Sequence, residues 1–373
     1  MKKLIFILGL ALTACSVQPP LSERIVRSEM ARSFALKWTY TTGLELKAML
    51  DAAPELSFDY VEAWYDAIID TLGVIYSYRP ESYSSDDVCP ARTLFALYDQ
   101  TGKEKYRQAM DRIYDQITRM PRTPEGGFFH KGMYPQQMWL DGLYMVEPFY
   151  TEYTLRYVTD STARQANLED IVRQFSLIYS HTLDPGTGLL RHAWDASGEM
   201  FWCDPQSGQS AHSWGRAMGW YLMALVDVIE IYPDGVEKDV LIGQFQQLME
   251  AVARYADAQT GMWYQVLDSP YREGNYLEAS CSAMFTYAGL KGARLALLPD
   301  RDRYLQRYQN LIQTFVTEED GLVTLHSCCK VAGLGGPAHR QGDFDYYISE
   351  PVCDNDPKGI GPLIWAALEH ETE

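Results

Sequence analysis

The chain has 373 residues, with 32 Lys and Arg against 50 Asp and Glu, and its formal net charge is −18. This acidity argues against nucleic acid as a partner, because binding nucleic acid requires a basic face that neutralises phosphates. Hydrophobic residues make up 47% and charged residues 22%, so we expect a packed globular protein. The 9 Trp, 26 Tyr and 13 Phe residues supply flat rings, many with polar edges, which suit a sugar ligand.

The first 14 residues have the pattern of a secretory signal. Lys2 and Lys3 precede the apolar run 4–12, which is too short for a membrane span, because a spanning helix needs about 20 apolar residues. Leu12-Thr-Ala-Cys15 resembles the lipobox of bacterial lipoproteins, in which Cys15 is lipidated. A plain cleaved signal with a chance cysteine is the alternative. We therefore expect an exported protein at the bacterial cell envelope, facing the periplasm or the cell surface. Its membrane attachment would be the lipid anchor alone, with residues 15–33 as a tether and N-terminal segment.

Helix-like spacing of apolar residues dominates the rest of the chain, and strand-like alternation is scarce. Short breaks rich in Gly, Pro and Asp separate the helical segments, and no shift in composition marks a second domain. We therefore predict one all-α domain over residues 34–373, built from successive helix pairs. The predicted helical segments are 91–98, 103–120, 136–157, 168–179, 214–231, 240–256, 278–297 and 304–316.

A turn motif recurs between the predicted helices. Asp184-Pro-Gly-Thr-Gly188 and Asp257-Ala-Gln-Thr-Gly261 share the pattern D-x-x-T-G, and Pro124-Glu-Gly-Gly-Phe-Phe-His130 is a looser copy. Repeated turns between helices indicate a toroid of helical hairpins, with ligand-binding loops at one end. A superhelix of the tetratricopeptide kind is the alternative, but its consensus of about 34 residues is not found.

One predicted helix carries a candidate acid. Tyr134-Pro-Gln-Gln-Met-Trp-Leu-Asp141-Gly-Leu-Tyr-Met places a carboxyl group among apolar and aromatic residues, and Pro135 suits the first turn of a helix. An apolar setting disfavours ionisation of a carboxyl group, and a general acid must hold its proton. Gly142 costs about 1 kcal/mol inside a helix, so we expect a close contact there. A structural aspartate that caps or bridges to a neighbouring helix is the alternative.

A second block, Ser213-Trp-Gly-Arg-Ala-Met-Gly-Trp220, begins another predicted helix with Ser213 as its N-cap. Arg216 and Trp220 are four residues apart and share a helix face, which suits a guanidinium group that holds a carboxylate beside a ring that stacks on a sugar. A structural cation–π contact without a ligand is the alternative. Gly215 and Gly219 would permit close packing of another helix.

Further polar residues stand near these blocks. His192 lies in the loop after the first D-x-x-T-G turn, and His130 with Lys131 precedes the helix of the candidate acid. Asp86 and Asp87 precede another predicted helix, where acids act as caps or supply a second carboxylate to the site. Spacing alone does not decide which of the two points inward.

Six cysteines follow the lipobox. They include no C-x-x-C pair and lack the spacing of a zinc site. His326-Ser-Cys-Cys329 groups three metal-binding side chains but has no distant partner pair, so we predict buried thiols and no metal. The cysteines are Cys89, Cys203, Cys281, Cys328, Cys329 and Cys353.

Four blocks in this order resemble glycoside hydrolase family 105, the unsaturated rhamnogalacturonyl hydrolases. They extend over nearly the whole chain, from about residue 38 to residue 368. The resemblance implies an (α/α)6 barrel, a toroid of six helical hairpins. The blocks are Gln137-Met-Trp-Leu-Asp-Gly-Leu-Tyr-Met145, His192-Ala-Trp-Asp195, Trp214-Gly-Arg-Ala-Met-Gly-Trp220, and Glu350 with Asn355-Asp-Pro-Lys-Gly-Ile-Gly361.

The resemblance also implies a reaction. The substrate would be a pectin-lyase product with 4,5-unsaturated galacturonate at its non-reducing end. Protonation of C4 in this enol ether creates an oxocarbenium-like centre at C5, water adds there, and the hemiketal opens to release the neighbouring sugar. The anomeric carbon is not attacked, so the carboxylate spacing that separates retaining from inverting glycosidases does not apply. This chemistry requires no cofactor and no metal.

The resemblance assigns roles by position. Asp141 matches the proton donor to C4, which then acts as the base for water. Asp86 or Asp87 matches a second aspartate, and we favour Asp86. The residues expected to contact the substrate are Tyr40, His130, Lys131, Trp139, His192, Trp214, Arg216 and Trp220.

Two other functions stay open at this point. Unsaturated glucuronyl hydrolases use similar chemistry on glycosaminoglycan or ulvan fragments. A glycan-binding lipoprotein would keep the barrel without activity, although the intact motif around Asp141 argues against a pure binder. The Trp-Leu-Asp-Gly-Leu-Tyr and Trp-Gly-Arg-x-x-Gly-Trp blocks favour the rhamnogalacturonyl hydrolases over the glucuronyl hydrolases.

Overall fold

A computed structural model describes residues 18–32 and 34–372. The predicted signal sequence and the lipidation site Cys15 lie outside these residues. Within them, no helix is both long enough and apolar enough to cross a lipid bilayer.

Helices account for most of the described chain, and the strands form three two-stranded antiparallel ribbons. The ribbons pair β1 (Gln137–Trp139) with β2 (Ala193–Asp195), β3 (Val316–Glu319) with β4 (Leu322–Leu325), and β5 (Cys328–Cys329) with β6 (Val352–Cys353). The helices are α1 (Leu21–Met30), α2 (Tyr40–Ala52), α3 (Pro54–Ile68), α4 (Arg92–Thr101), α5 (Glu104–Arg119), α6 (Leu140–Tyr157), α7 (Ser161–Thr182), α8 (Gly215–Ile231), α9 (Val236–Arg254), α10 (Ala279–Arg294), α11 (Arg301–Phe315), α12 (Phe344–Ser349) and α13 (Pro357–Glu371).

Six helices form an inner ring, in the order α2, α4, α6, α8, α10 and α13. The short turn Cys89–Ala91 before α4 contacts both α2 and α6, and α13 packs against α2 to close the ring. Helix α8 shows why these are inner helices: residues 215–229 are all buried, as expected for a helix with neighbours on every side. Helices α3, α5, α7, α9 and α11 pack outside them. The predicted (α/α)6 barrel is therefore confirmed.

The sixth helical pair joins the two ends of the described chain. Helix α1 packs against α13, and its residues Ile25 and Val26 are fully buried. The backbone N–H of Ser22 donates to the Glu371 carboxylate at 3.1 Å, and the Ser22 hydroxyl donates to the same group. Residues 15–33, expected as a tether, thus include a helix of the barrel, and the structured domain begins before residue 34.

Several predicted helix starts lie elsewhere in the structure. Helix α7 begins at Ser161 instead of residue 168, α9 at Val236 instead of residue 240, and α11 at Arg301 instead of residue 304. Helix α6 begins at Leu140 instead of Gln136, because residues 137–139 pair with β2 as a short strand. Helix α8 has Trp214 as its N-cap, and the hydroxyl of Ser213, the predicted cap, has no hydrogen-bond partner in the described part. Five helices, α1 to α3, α12 and α13, lie outside the predicted helical segments.

The D-x-x-T-G motif forms tight turns that return the chain from an outer helix towards the inner ring. The carboxylate of Asp184 accepts the N–H of Gly186 at 2.9 Å, and that of Asp257 accepts the N–H of Gln259 at 3.1 Å. The final glycine adopts a positive φ in both turns, 75° and 74°, which explains the choice of glycine. Asp204-Pro-Gln-Ser-Gly208 is a further copy with Ser in place of Thr. The motif is therefore structural.

Candidate active site

The predicted site residues converge where the inner helices begin. Inner and outer helices alternate along the chain, so all six inner helices run in the same direction and start at one end of the barrel. Tyr40 is the first residue of α2, Asp141 the second of α6 and Arg216 the second of α8. The positive ends of the helix dipoles face this end, which favours an anionic ligand despite the negative charge of the whole chain.

Asp141 and His192 form the centre of the site. Oδ2 of Asp141 lies 3.3 Å from Nε2 of His192, and neither atom has a hydrogen-bond partner elsewhere in the described residues. The Asp141 side chain is 15% exposed, whereas His192 is fully buried. On its far side, Nδ1 of His192 lies 2.7 Å from the hydroxyl oxygen of Tyr347. A partly buried carboxyl group, with one oxygen that has no hydrogen bond in the described residues, suits proton transfer to a bound substrate.

A second imidazole approaches Asp141 from the other side. A Cβ atom at Gly142 would lie 3.3 Å from Nδ1 of His130, so the close contact expected at this glycine is present. Nδ1 of His130 forms a hydrogen bond with the Ser85 hydroxyl at 3.0 Å. Burial and the neighbouring Lys131 hold the pKa of His130 well below its usual value, so the ring is neutral at physiological pH.

Asp86 faces the site. Its carboxylate forms an ion pair with Lys131 at 2.5 Å and lies 4.0 Å from Nε2 of His130. Burial and the nearby Asp86 carboxylate raise the pKa of Tyr40 well above its usual value, so Tyr40 keeps its hydroxyl proton. Asp86, Lys131, His130 and Tyr40 thus form one wall of the site.

Asp87 faces away from Asp141. Its carboxylate accepts a hydrogen bond from the Ser82 hydroxyl at 3.3 Å, and burial together with Asp86 raises the pKa of Asp87 to about 6. It lines a surface groove of about 680 Å³. Of the two acids, Asp86 is therefore the one placed beside the other site residues. The groove is lined by Ser82, Tyr83, Asp87, Phe129, Lys131 and Met133, among others.

Arg216 is fully buried beneath the site. Its Nη1 donates to the Ser280 hydroxyl at 3.2 Å and its Nη2 to the Cys329 carbonyl at 2.5 Å, whereas Nε has no partner in the described part. The guanidinium carbon lies 5.1 Å from the ring centre of Trp214. The cation–π partner of Arg216 is thus Trp214, at the helix start, and not Trp220 on the shared helix face.

Trp220 supports the site from within the barrel. Its ring lies 6.4 Å from the ring of Tyr40 and 4.9 Å from that of Tyr144, and the residue is 1% exposed. This position leaves no open ring face for a sugar. Trp220 therefore holds Tyr40 in place, in contrast to the stacking role suggested by its spacing from Arg216.

Trp139 and Trp214 occupy equivalent positions at the starts of α6 and α8. Both are N-cap residues, and each indole N–H donates to a glutamine side chain, at 3.1 Å to Gln137 and 3.0 Å to Gln265. Trp139 stacks on His130 with ring centres 4.4 Å apart. The two tryptophans are nearly buried walls of the site, at 5% and 2% exposure.

Two site residues are placed by contacts between distant parts of the chain. Tyr347 contacts His192 across 155 residues of sequence, and Gln265 meets the Trp214 indole across 51 residues. Asp356 is an exception, since its carboxylate caps α13 by accepting the Lys358 N–H at 3.0 Å. Asp followed by Pro is a helix-start signal, and it would have located α13.

The described residues, 18–32 and 34–372, contain no cluster of three His, Cys, Asp or Glu side chains able to hold a metal ion. His326 instead pairs with Asp354 at 3.1 Å, and Cys328 and Cys329 are fully buried. All six cysteines of this part are free thiols.

Comparison with known proteins decides the family. Residues 21–373 match the family model of Glycosyl Hydrolase Family 88. A family 105 glycoside hydrolase of C. acetobutylicum ATCC 824 has a similar structure, with a TM-score of 0.91 and 40% identity over 95% of this chain and 100% of that chain. The chain belongs to the glycoside hydrolase family 88/105 group. The chain is therefore a glycoside hydrolase, and its resemblance to family 105 is confirmed.

Two further relatives of the hydrolase differ in their sequence identity to it. Protein Atu3128 of Agrobacterium fabrum is 40% identical over 231 residues, which are 60% of this chain and 96% of that protein. An unsaturated glucuronyl hydrolase from Bacillus sp. GL1, responsible for the degradation of glycosaminoglycan, shares 13% identity and a TM-score of 0.64 over 94% of this chain and 95% of that chain. At this identity the second relative shares the fold alone.

Proposed function

We propose that the hydrolase removes 4,5-unsaturated galacturonate from the non-reducing end of lyase-generated rhamnogalacturonan oligosaccharides. The observation that carries this proposal is the Asp141 carboxyl group at the start of α6. Its Oδ2 is buried, lies 3.3 Å from His192 and has no hydrogen bond within the described part of the chain. Such a group can give a proton to a substrate and take one back while His192 stays beside it.

The chemistry follows from this arrangement. Protonated Asp141 donates its proton to C4, the π electrons of the C4–C5 bond form the new C4–H bond, and a lone pair of the ring oxygen stabilises the cation at C5. The Asp141 carboxylate then accepts a proton from water while the water oxygen bonds to C5. The resulting hemiketal opens and releases the neighbouring sugar. The net change is the addition of one water molecule, and Asp141 returns to its starting state.

Recognition of the uronate is local. The chain carries a formal charge of −18, so long-range attraction cannot draw an acidic sugar to the site. The positive ends of the inner helices and the Lys131 ammonium group supply the local positive potential, and Arg216 reinforces it from below. The rings of Trp139 and Tyr40 provide apolar surface beside these charges.

The choice of rhamnogalacturonan over glycosaminoglycan rests on similarity. The family 105 structure of C. acetobutylicum ATCC 824 is 40% identical, whereas the unsaturated glucuronyl hydrolase of Bacillus sp. GL1 is 13% identical. The blocks that contain Asp141 and Arg216 also follow the family 105 pattern. We further propose that the enzyme acts outside the cytoplasm as a lipoprotein, on the basis of the lipobox at Cys15.

A substrate panel tests the proposal. Purified enzyme is incubated with lyase-generated rhamnogalacturonan, glycosaminoglycan and ulvan oligosaccharides, and the ultraviolet absorbance of the unsaturated uronate is followed. We expect absorbance to fall with the rhamnogalacturonan fragments. Loss with the glycosaminoglycan or ulvan fragments alone would instead identify a glucuronyl hydrolase.

A binding measurement on the same panel addresses the non-catalytic alternative. Calorimetry detects oligosaccharide binding independently of turnover. Binding of one of these fragments without any loss of absorbance would indicate a glycan-binding protein and would overturn the proposed hydrolysis.

A further inference from the structure

Tyr347 lies behind His192, on the side opposite Asp141. It belongs to the short helix α12 and is fully buried. Its hydroxyl oxygen lies 2.7 Å from Nδ1 of His192, and this is its one hydrogen bond among the described residues. Tyr347, His192 and Asp141 thus form a linear chain of polar groups that leads into the site.

The direction of the hydrogen bond follows from the surroundings. Burial and the neighbouring Tyr346 and Asp141 raise the pKa of Tyr347 well above its usual value, so the hydroxyl keeps its proton. A buried hydroxyl proton requires an acceptor, and Nδ1 of His192 is the acceptor within reach. A neutral imidazole that accepts at Nδ1 carries its own proton on Nε2. Nε2 lies 3.3 Å from Oδ2 of Asp141.

We propose that Tyr347 is a positioning residue, which fixes His192 in the tautomer with its proton on Nε2. This inference rests on the proposed function. Nε2–H then donates to Oδ2 of Asp141, and the proton to be transferred resides on Oδ1. After the transfer to C4, the same N–H stabilises the Asp141 carboxylate through a charge-assisted hydrogen bond. The opposite tautomer would set the Nε2 lone pair against the carboxylate oxygen.

No proton leaves His192 in this scheme. The proton given to C4 comes from Asp141, and the proton that restores Asp141 comes from the water whose oxygen bonds to C5. Tyr347 acts through His192 and does not contact the reacting atoms. Its contribution is therefore the orientation of one N–H bond.

The position of the Tyr347 hydroxyl is fixed by buried neighbours. Gln265 donates from its amide to the Tyr347 backbone carbonyl at 3.1 Å and accepts from the Trp214 indole at 3.0 Å. The Tyr347 ring also stacks on Trp214, with ring centres 6.0 Å apart and planes 24° from parallel. A single glutamine thus ties Tyr347 to the start of α8. Removing the hydroxyl alone should leave this packing in place.

Steady-state kinetics of Tyr347→Phe give the first test. Without the Tyr347 hydroxyl, His192 is no longer held with its proton on Nε2, and the hydrogen bond from Nε2–H to the ionised Asp141 carboxylate is weakened. We therefore expect kcat to fall about tenfold to hundredfold and KM to change by less than about threefold. Tyr221→Phe is the matched control. It also removes a buried hydroxyl, which lies 3.0 Å from the Phe175 carbonyl oxygen and 2.9 Å from Oε1 of Gln244. Equal losses of kcat in the two variants would overturn the proposal.

A double-mutant cycle separates positioning from packing. Gln at position 192 offers an amide N–H without tautomers, so Tyr347→Phe should cost less than about twofold in a His192→Gln background. The same loss in both backgrounds would show that Tyr347 does not act through His192, and the proposal would fail.

Nitrogen NMR of the wild-type enzyme tests the tautomer without any turnover. In protein labelled with ¹⁵N-histidine, the His192 signals are those that disappear in His192→Gln. We expect a protonated Nε2 and an unprotonated Nδ1 in the wild type. A protonated Nδ1 would overturn the inference. An enzyme with this tautomer that processes no unsaturated uronate would instead refute the proposed function.

Discussion

Replacing Asp141 by Asn should strongly lower turnover while preserving the fold. The amide has the shape of the carboxyl group, and its oxygen can accept from Nε2 of His192, which lies 3.3 Å from Oδ2 of Asp141. Oδ2 has no other hydrogen-bond partner in the described part of the chain, so the free energy of unfolding should change by less than about 1 kcal/mol. The amide cannot, however, deliver a proton to C4.

The expected magnitude follows from the role of the group. A positioned general acid contributes about 10²- to 10⁴-fold to a rate, which corresponds to about 3–5.5 kcal/mol of activation free energy. We therefore expect kcat of Asp141→Asn to fall by that factor, with KM within about threefold of the wild-type value. The assay is the initial rate of absorbance loss with rhamnogalacturonan fragments, accompanied by calorimetric binding and thermal unfolding of the variant.

Asp184→Asn is the control, and it should lower stability instead of turnover. Its carboxylate accepts the Gly186 N–H at 2.9 Å and pairs with Arg191 at 2.6 Å within a D-x-x-T-G turn. This variant should lose about 1 kcal/mol of stability and keep its kcat. If Asp141→Asn retains more than about a tenth of wild-type kcat, the proton donor lies elsewhere. If it unfolds instead, Asp141 is a structural residue.

Three further predictions concern other groups. Asp86→Asn should lower kcat/KM at least about tenfold more than Asp87→Asn, because Asp86 lies 4.0 Å from His130 whereas Asp87 lines the surface groove. Equal losses of kcat/KM in steady-state kinetics of the two variants would contradict this. Burial raises the pKa of Glu45 to about 8, so the neutral form is favoured in the folded state and stability is lost as pH rises from about 5 through about 8. Glu45→Gln should remove this loss, and calorimetric Tm values that fall equally in both proteins would disprove it. Cys15→Ala should move the enzyme from the membrane fraction to the soluble fraction, and an unchanged distribution in fractionated cells would exclude the lipid anchor.

Apolar spacing predicted α4 to α11, which belong to both rings, and missed the helices at the two ends of the chain. Helix α5 shows the apolar spacing of a surface helix most clearly. Helices α2 and α13 belong to the inner ring and are buried on most sides, so their sequences carry no clear alternation of polar and apolar faces. The helix predicted for α6 is too long at its start, because residues 137–139 pair with residues 193–195 as a strand instead of forming the first helical turn.

The candidate site was predictable where a residue lies inside a distinctive block. Asp141, His192 and His130 come together in the structure as their blocks suggest. Spacing failed for Trp220, because the ring beside Arg216 belongs to Trp214, which precedes the helix and turns back over it. A position outside a helix does not follow helical geometry. Tertiary neighbours such as Gln265 can be known only once the chain is folded.

The pairing of α1 with α13 has a consequence for how the protein is made. The barrel is closed where α13 packs against α2 and α1. The backbone N–H of Ser22 in α1 donates to the Glu371 carboxylate in α13, across 349 residues of sequence. Closure of this seam must therefore wait until the C-terminal helix has been synthesised. Contacts so distant in sequence are formed late and slowly in folding. The barrel is therefore completed only after the whole chain is available, and its last helix closes it.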